Sequence, residues 1–255
     1  MQKQIMVKLD LAIVCKLGLL GLVLTFCSCN KENAPDCFKT AGEVQTETRD
    51  LGSFTKLELN SNLKYELVDT NFCGIEITGP KNLLPKIDAQ LSGGLLKIEN
   101  VNTCNFLRSF ENEITVTLYF DSITNIQNFS TGSVVSLNEM KARKLVIENK
   151  HANGKIELNL NCDTIYCGSP AGANDSYLKG TVQVAELYSD AYGIIHAEEL
   201  NANQVYINNS SLQPIYAKAN AYAFIRIEDA GNVVLKQTPA LYDFVRNGSG
   251  ELIFE

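Results

Sequence analysis

Five short stretches of the 255-residue chain repeat one apolar alternation at a fixed distance, and they decide the fold. They read Leu145-Val-Ile147, Ile165-Tyr-Cys167, Ala185-Glu-Leu187, Val205-Tyr-Ile207 and Ile225-Arg-Ile227. Each stretch begins 20 residues after the one before it, and its first and third residues are always apolar. Alternation of period two indicates a short strand with one face in the interior and the other toward solvent.

A small polar residue follows each stretch by two positions, where the chain is expected to turn. These residues are Asn149, Ser169, Ser189, Asn209 and Asp229. Such side chains hydrogen-bond their own backbone and favour turns. A strand and a polar corner repeated at this distance are typical of a parallel β-helix, whose neighbouring coils lie about 4.8 Å apart. The chain is therefore predicted to be all-β, a single-stranded parallel solenoid with about 20 residues per coil.

The first half of the chain carries the same alternation at less regular distances. Its stretches are Leu57-Glu-Leu59, Ile75-Glu-Ile77, Leu96-Lys-Ile98 and Val116-Thr-Leu118. Their starts are 18, 21 and 20 residues apart, which predicts irregular coils over residues 49–140 before regular coils over residues 141–235. Residues 236–255 are predicted to cap the end of the stack. One continuous domain, residues 49–255, is preferred over two.

The N-terminus has the composition of a secretory signal peptide. Lys3, Lys8 and Lys16 precede or begin an apolar run that occupies residues 17–26. A positive segment followed by a short apolar segment is typical of export signals, and this run is too short to span a bilayer as a helix. Export would bring the chain into an oxidising compartment, where disulfides form.

The residues that end the apolar run, Phe26-Cys-Ser-Cys29, resemble the lipobox of a bacterial lipoprotein. Small Ser28 precedes Cys29, and cleavage between them would leave a lipid-modified cysteine at the start of the mature chain. We therefore predict a lipoprotein signal peptide at residues 1–28, a lipid anchor with palmitate on Cys29, and a polar tether at residues 29–48. Several acyl chains hold a protein at a membrane far more firmly than one. An ordinary signal peptide with two incidental cysteines is the alternative.

The charge balance excludes one class of partner. The chain has 22 Lys and Arg against 29 Asp and Glu, a formal net charge of −7. Nucleic-acid binding needs a basic face for the phosphates, so no nucleic-acid partner is expected. With two histidines and no tryptophan, the chain also has few of the side chains that most catalytic and metal sites use.

Five cysteines follow the predicted lipidation site: Cys37, Cys73, Cys104, Cys162 and Cys167. An odd number leaves at least one free thiol or one intermolecular bond, and spacing alone does not give the connectivity. Cys167 occupies an inward position of the repeat, where a small buried apolar side chain is expected. The cysteines lack the close paired spacing of a zinc site, so no zinc is predicted.

Several strand and turn signatures resemble a known family in their order and spacing. They are Asp36-Cys37, Arg49-Asp-Leu-Gly-Ser-Phe54, Asn82-Leu-Leu-Pro-Lys86, Gly93-Gly-Leu-Leu-Lys-Ile98 and Cys104-Asn-Phe-Leu-Arg108. Together they resemble the head GIN domain family of autotransporter adhesin-like proteins, over roughly residues 36–240. The resemblance implies a right-handed parallel β-helix on a lipid-anchored protein of the Gram-negative envelope.

The resemblance also bears on the cysteines and on the site. Cys37 and Cys104 lie in stretches that match the family, whereas Cys73 does not, so the resemblance favours a Cys37–Cys104 disulfide. A Cys73–Cys104 bond is the alternative. The family has no assigned catalytic or binding residues, so none is carried over to this chain. Its members imply attachment to the outer membrane, on the periplasmic or the surface-exposed face.

Some right-handed β-helices are polysaccharide lyases or hydrolases, and the carboxylates test that hypothesis. Glycoside hydrolysis usually needs two carboxylates about 5 to 10 Å apart. On a coil stack such a pair would come from acids 20 residues apart, and no two carboxylates between residues 141 and 255 have that separation. The chain is therefore predicted not to be an enzyme. A polysaccharide-active enzyme with carboxylates on irregular loops, such as residues 161–180, is the alternative.

Two other chemical hypotheses find less support. His151 and His196 are interpreted as polar side chains at strand ends rather than as a base or a ligand. Calcium at corners built from Asn149, Asn209 and Asp229 is disfavoured because serines interrupt the same column. No cofactor and no metal is predicted.

Tyrosines supply the remaining indication of a binding surface. Six lie in the repeat region: Tyr166, Tyr188, Tyr192, Tyr206, Tyr216 and Tyr222. Tyr166 and Tyr206 hold the outward middle position two coils apart, with Glu186 between them, on a stripe about 10 Å long. Exposed aromatic stripes stack on sugars or anchor interfaces, although tyrosine is also common in strands with one wet face.

The predicted function is a non-catalytic, adhesin-like binding module of the cell envelope, held to the membrane by its N-terminal lipid. Its ligand is expected to be a glycan or a surface protein, with Tyr166 and Tyr206 as candidate contacts. Besides the polysaccharide-active enzyme, a structural module that binds no small ligand and assembles through its end coils is the alternative.

Overall fold

The structure is a computed structural model, and it describes residues 40–103 and 113–255. These residues form seventeen β-strands and one short 3-10 turn at Leu84–Lys86, with no α-helix among them. None of the described residues belongs to a helix long and apolar enough to cross a membrane. Most strand pairings are parallel, and the described chain is a β-solenoid of about six turns.

The first nine strands are short, the next five are long, and the last three are short again. The first nine are β1 (Val44–Arg49), β2 (Lys56–Leu59), β3 (Lys64–Asp69), β4 (Gly74–Pro80), β5 (Ile87–Ser92), β6 (Leu95–Asn100), β7 (Thr115–Phe120), β8 (Asn125–Asn128) and β9 (Ser133–Ser136). The remaining eight are β10 (Met140–Ala152), β11 (Lys155–Gly172), β12 (Asp175–Ser189), β13 (Ile195–Asn209), β14 (Ile215–Ile227), β15 (Val233–Leu235), β16 (Leu241–Arg246) and β17 (Leu252–Phe254).

Two continuous ladders of paired strands run along the solenoid. The triplet ladder contains the repeated triplets and joins, in spatial order, β5, β6, β2, β8, β10, β11, β12, β13, β14 and β16. The second ladder joins β1, β4, β7, β3, β9, β11, β12, β13, β14, β15 and β17. Inward side chains of both ladders pack into one continuous apolar core.

The first four regular triplets have the predicted register. Leu145 pairs with Ile165, Ile165 with Ala185, and Ala185 with Val205. These side chains are buried, and so are the third residues of the same triplets. The prediction of an all-β parallel solenoid with coils about 20 residues apart is therefore confirmed.

The fifth triplet is displaced by two residues from its predicted position. Val205 pairs with Ala223 and Ile207 pairs with Ile225, so the offset between these two coils is 18 residues. The predicted pairing of Val205 with Ile225 is wrong. The displacement arises because the pairing of β13 with β14 shifts just before this point, where β14 uses fewer residues than β13.

The polar corner residues point into the solenoid rather than toward solvent. The buried corner residues are Asn128, Asn149, Ser169, Ser189 and Asn209. Nδ2 of Asn149 donates to Oγ of Ser169 in the next coil at 3.2 Å. Asp229 does not belong to this column, because the 18-residue offset places Ile227 beside Asn209 and leaves Asp229 exposed. Hydrogen bonds between coils therefore link Asn128, Asn149 and Ser169, whereas Oγ of Ser189 has no partner among the described residues.

The first half departs from the predicted succession of coils. β2 lies between β6 and β8, and β3 lies between β7 and β9, so the first coil of the chain is inserted between two later ones. Leu57 consequently pairs with both Leu96 and Ile126. The stretch Ile75-Glu-Ile77, predicted to form a coil of its own, lies in β4, which runs antiparallel to β1 and β7.

Antiparallel strands close the N-terminal end of the solenoid. β1, β4 and β5 lie beyond the parallel coils, and the connection from β4 to β5 crosses from one ladder to the other. Leu83, Leu84 and Ile87 are buried there, as is Phe54. The guanidinium of Arg49 in β1 donates to the carbonyl oxygens of Ile87 at 2.6 Å and Leu84 at 3.1 Å. We call this region the closed end.

The opposite end continues the ladders without such a closure. β16 and β17 lie within residues 236–255, the segment predicted as a cap, and pair in parallel with β14 and β15. Within the described chain, no strand pairs with their outer edges, and we call this region the open end. At the N-terminal side, β1 begins at Val44, within the residues predicted as a tether (29–48).

Candidate binding surface

The outward middle residues of the triplets form one column across neighbouring strands. Tyr166 pairs with Glu186, Glu186 with Tyr206, and Tyr206 with Phe224. Adjacent parallel strands lie about 4.8 Å apart, so the column carries three aromatic rings and one carboxylate along roughly 14 Å. The two tyrosines that the sequence singles out therefore lie on one stripe of the surface.

A shallow groove of about 530 Å³ runs along this column. We call it the aromatic groove, and its lining includes Tyr166, Glu186, Tyr188, Tyr206, Asn208, Phe224 and Arg226. Tyr188, Asn208 and Arg226 form a second outward column, two positions further along the strands. Tyr188 pairs with Asn208, and Asn208 pairs with Arg226. The groove thus places flat apolar rings beside a carboxylate, an amide and a guanidinium.

Phe224 belongs to the groove although the sequence spacing misses it. A 20-residue offset from Tyr206 leads to Arg226, whereas the observed offset of 18 places Phe224 beside Tyr206. The guanidinium carbon of Arg226 lies 5.8 Å from the centroid of the Phe224 ring, within cation–π range. A signal for this register exists in the sequence, because Ala223-Phe-Ile225 is also an apolar alternation.

Tyr206 is supported on one side and accessible on the other. Its ring meets the edge of Tyr222 with the centroids 5.9 Å apart, and Tyr206 as a residue is 39% exposed. The hydroxyl of Tyr222 donates to Oδ2 of Asp243 at 2.7 Å, and this hydrogen bond to a carboxylate raises the pKa of Tyr222. Tyr206 therefore offers a supported ring to a ligand.

Tyr166 lies against the surface of its own strand. Its ring covers Gly168, where an added Cβ would collide with the Tyr166 hydroxyl oxygen. Partial burial raises the pKa of Tyr166, because the surroundings disfavour the phenolate. The missing side chain at Gly168 thus makes room for the ring, and Tyr166 contributes a neutral phenol to the groove.

The composition of the aromatic groove suits binding better than hydrolysis. Glu186 is the single carboxylate among its lining residues, whereas glycoside hydrolysis usually uses two. In the described part of the chain, His, Cys, Asp and Glu side chains do not gather in groups of three that could hold a metal ion. Aromatic faces beside hydrogen-bonding groups provide what a sugar ring needs for stacking and recognition.

The two histidines lie outside the aromatic groove. His151 is exposed near the end of β10 and has a positive φ of 58°. His196 is the second residue of β13, in the second ladder, where its ring stacks between those of Tyr177 and Tyr216. Sequence reasoning places both at strand ends but does not reveal the aromatic neighbours of His196.

Three of the cysteines lie in the described residues, and each is an unpaired thiol: Cys73, Cys162 and Cys167. Cys167 is buried at its predicted inward position, and burial raises the pKa of its thiol to about 12. Cys29, Cys37 and Cys104 lie outside the described residues. The lipid anchor and the Cys37–Cys104 disulfide therefore stay predictions.

Solved structures resemble this fold over most of the chain. A crystal structure from Bacteroides fragilis, called a "putative adhesin", matches with a TM-score of 0.77 and 21% identity, and covers 84% of this chain and 97% of its own. A "putative adhesin" from Parabacteroides distasonis has a TM-score of 0.64, 14% identity, and coverage of 84% and 98%. A "putative lipid binding protein" from the same organism has a TM-score of 0.62, 16% identity, and coverage of 84% and 97%. At these identities the likeness shows a shared fold.

The family described as "Putative auto-transporter adhesin, head GIN domain" matches residues 53–239. The matched segment runs from β2 to β15 and contains every residue of the aromatic groove. No curated protein matches the chain. Because the family match spans well over half of the sequence, this chain belongs to the head GIN domain family of adhesin-like proteins.

Proposed function

We propose that this chain is a lipid-anchored protein of the outer membrane that binds a glycan, without catalysis, through the aromatic groove. The observation that carries the proposal is the alignment of Tyr166, Tyr206 and Phe224 on one face of a rigid strand ladder. Rings held at fixed spacing lose little conformational entropy when a flat sugar face stacks on them.

The polar groups of the aromatic groove support recognition of a sugar rather than of a purely apolar ligand. Glu186 accepts hydrogen bonds, Arg226 donates them, and Asn208 does both. All three lie beside the rings on the same outward face. Sugar hydroxyls both donate and accept, so a groove with this mixture can satisfy them while the C–H face of the sugar covers the rings.

The N-terminal sequence supports the membrane anchor, and family membership supports a place in the cell envelope or at the cell surface. The first described strand, β1, lies at the closed end. A tether that precedes β1 would therefore reach the solenoid at that end, and the coils that form the aromatic groove would stand away from the membrane.

A localisation experiment tests the anchor. Cys29→Ser is expected to release the protein from the membrane fraction and to abolish incorporation of labelled palmitate. Cys27→Ser is the matched control, because it removes the neighbouring cysteine and keeps the predicted lipidation site; it should fractionate like the wild type. Unchanged membrane attachment of Cys29→Ser would contradict the anchor.

A fluorescence experiment tests the groove, because the chain contains no tryptophan. Tyr206→Trp introduces a single reporter ring, and Tyr242→Trp at the open end serves as the matched control. We expect saturable emission changes in Tyr206→Trp with at least one of three probes, the tetrasaccharides of glucose, mannose or N-acetylglucosamine, and none in Tyr242→Trp. Adding Phe224→Ala should weaken that binding about tenfold.

Three outcomes would contradict the proposal. The first is a silent Tyr206→Trp reporter with all three tetrasaccharides. The second is a response to phospholipid vesicles but not to sugars, which would indicate a lipid ligand. The third is the release of reducing sugar from the bound oligosaccharide, which would indicate an enzyme.

A further inference from the structure

The second ladder carries an aromatic row that the aromatic groove does not include. The ring of Tyr177 stacks on that of His196 with centroids 4.6 Å apart and planes 2° apart. His196 stacks in turn on Tyr216 at 5.2 Å and 4°. Nζ of Lys236 lies 5.8 Å from the centroid of the Tyr216 ring at the far side of the row. The three rings therefore lie nearly parallel, with their planes facing along the solenoid axis.

One end of this row has no aromatic neighbour. The residue that pairs with Tyr177 on the side away from His196 is Glu157. The carboxylate of Glu157 accepts from Nζ of Lys155 at 2.6 Å. Tyr177 is 40% exposed, and among the described residues its ring has no aromatic partner on this side.

A cleft of about 200 Å³ lies beside this free ring. We call it the Tyr177 cleft, and its lining includes Glu157, Asn159, Tyr177, Lys179, Glu198 and Glu199. Sites for drug-sized ligands occupy roughly 300 to 1,000 Å³, so this cleft suits one sugar ring or a group of similar size. Its polar groups come from three neighbouring coils.

A β-bulge sets the direction of one of these polar side chains, that of Glu198. Tyr177 pairs with His196 but Lys179 pairs with Glu199, so β13 has one more residue than β12 between these two pairs. Glu198 lies in this bulge, a feature that re-aims side chains in many sheets. Oε1 of Glu198 lies 3.0 Å from Nδ1 of His196, within hydrogen-bonding distance.

The second oxygen of the same carboxylate is unsatisfied. Oε2 of Glu198 is closed off from solvent, and no described residue donates a hydrogen bond to it. A buried acceptor without a donor is destabilising, and such groups are rare in folded proteins. Glu198 lines the Tyr177 cleft, and a turn of its carboxylate about the last side-chain torsion would bring Oε2 to the cleft, where a ligand hydroxyl would supply the missing donor.

We propose that the Tyr177 cleft is a second carbohydrate site, which stacks a neutral pyranose ring on the free face of Tyr177 and accepts a sugar hydroxyl at Oε2 of Glu198. The His196–Tyr216 stack supports the ring from behind. Glu157, Glu198 and Glu199 outnumber Lys179 in the lining, so the site should reject uronic acids. The inference extends the proposed glycan binding to another side of the same coils, and it stands on residues that the aromatic groove does not use.

Tyr177→Trp tests this site separately, again as the single tryptophan of the full chain. The probes are the tetrasaccharides of glucose, mannose and N-acetylglucosamine, with tetragalacturonate as the anionic control and spermidine as an amine. We expect a saturable emission change with a neutral tetrasaccharide, and none with tetragalacturonate or spermidine.

Glu198→Gln in the Tyr177→Trp chain tests the role of the carboxylate. Binding of the responsive tetrasaccharide should weaken about tenfold, because the loss of a charged acceptor leaves the sugar hydroxyl with a poorer partner. Glu251→Gln, which changes an exposed carboxylate near the open end, is the matched control and should leave binding unchanged. Circular dichroism melting of each variant separates lost binding from lost folding.

The outcomes distinguish this site from the aromatic groove. A silent Tyr177→Trp chain beside a responsive Tyr206→Trp chain would overturn the second site alone. A responsive Tyr177→Trp chain beside a silent Tyr206→Trp chain would overturn the aromatic groove and leave the second site standing. A response to spermidine without a response to sugars would overturn the carbohydrate assignment. Unchanged affinity for the responsive tetrasaccharide in Glu198→Gln would overturn the role of that carboxylate.

Discussion

The closed and open ends of the solenoid finish the same apolar core in opposite ways. At the closed end, strand direction reverses, and Phe54 is only 1% exposed. At the open end, the parallel ladders continue to their last strands, and the inward residues Phe244 and Phe254 are each 38% exposed. A parallel stack cannot bury its terminal coil by adding another coil. Closure therefore requires a change of strand direction or a crossing segment.

The closed end shows how the sequence produces that change. β5 and β6 form an antiparallel hairpin in which Ser92 pairs with Leu95. Gly93 and Gly94, the two residues between them, have φ of 56° and 76°, which glycine adopts at little cost. Two-residue loops of this kind match the twist of antiparallel strands. The open end contains no comparable hairpin among its described residues, and its ladders stay parallel.

A charge placed in one inward column should lower the free energy of unfolding far more in the middle of the stack than at the open end. We expect this to be the largest difference between the two regions. Leu187, Ile207, Ile225 and Phe244 follow one another in this column. Leu187 is 2% exposed, so Leu187→Asp buries a carboxylate without a partner and should cost more than about 4 kcal/mol, enough to prevent folding. Phe244→Asp should leave a folded protein and cost about 1 kcal/mol.

Urea unfolding followed by circular dichroism measures both variants. Glu186→Leu is the control for the middle of the stack, since its side chain faces outward beside the same position and should not lower the free energy of unfolding. Equal losses in Leu187→Asp and Phe244→Asp would mean that the open end is covered, and would contradict the contrast between the ends.

Removing one phenylalanine ring from each end should give a smaller but still clear difference. Phe54→Ala creates a cavity at the closed end and should lower the free energy of unfolding by about 3 to 5 kcal/mol. Phe254→Ala removes a half-exposed ring whose centroid lies 5.3 Å from that of Tyr242, and should cost about 1 kcal/mol. The two midpoints of urea unfolding provide the comparison, and a larger loss for Phe254→Ala would reverse it.

Thiol labelling compares the first half of the chain with the regular coils. We expect the difference in labelling rate to be the smallest of these effects. Cys73, just before β4, is half-buried, whereas Cys162 and Cys167 are buried in β11. Burial raises the pKa of the Cys162 and Cys167 thiols, so little thiolate is available to react at pH 8. Iodoacetamide followed by peptide mapping should modify Cys73 before Cys162 and Cys167. Faster labelling of Cys167 would show that the regular coils open more readily than the first half.

The alternating pattern predicts the regular coils because each inward position there has the same neighbours. From Leu145 to Val205 a constant offset and a dry interior leave one register that buries every apolar residue. The pattern fails at Ile225, because Ala223-Phe-Ile225 and Ile225-Arg-Ile227 are both apolar alternations. The register is selected by the packing of the part of β13 and β14 that precedes the triplet, where the offset between the two strands changes.

The pattern also fails in the first half, for a different reason. Alternation shows that the stretch starting at Ile75 is a strand, but a strand with one buried face looks the same whether its neighbour is parallel or antiparallel. The Gly-Gly pair before β6 was a usable signal for a hairpin, since such pairs favour two-residue antiparallel turns. The insertion of β2 between β6 and β8 has no local signal, because it depends on contacts distant in sequence.

The candidate sites, like the coils, can be predicted from the sequence only where the offset between coils is constant. Tyr166 and Tyr206 are predictable because a constant offset separates them. Phe224 depends on the changed register, and the stacking of His196 between two tyrosines depends on a 19-residue offset between β12 and β13 at that point. Side-chain positions that depend on local shortening of a coil cannot be found by counting residues from the previous coil.

The register of β13 against β14 determines both the aromatic groove and the column that reaches the open end, and a cross-link measures it directly. The double variant Tyr206→Cys with Phe224→Cys places two cysteines on paired positions, where Cα atoms of neighbouring parallel strands are close enough for a disulfide. In Tyr206→Cys with Arg226→Cys the Cα atoms would be about 8 Å apart, too far for a disulfide. We predict, by peptide mapping under oxidising conditions, a disulfide in the first pair and none in the second. The reverse result would place Arg226 beside Tyr206 and remove Phe224 from the groove.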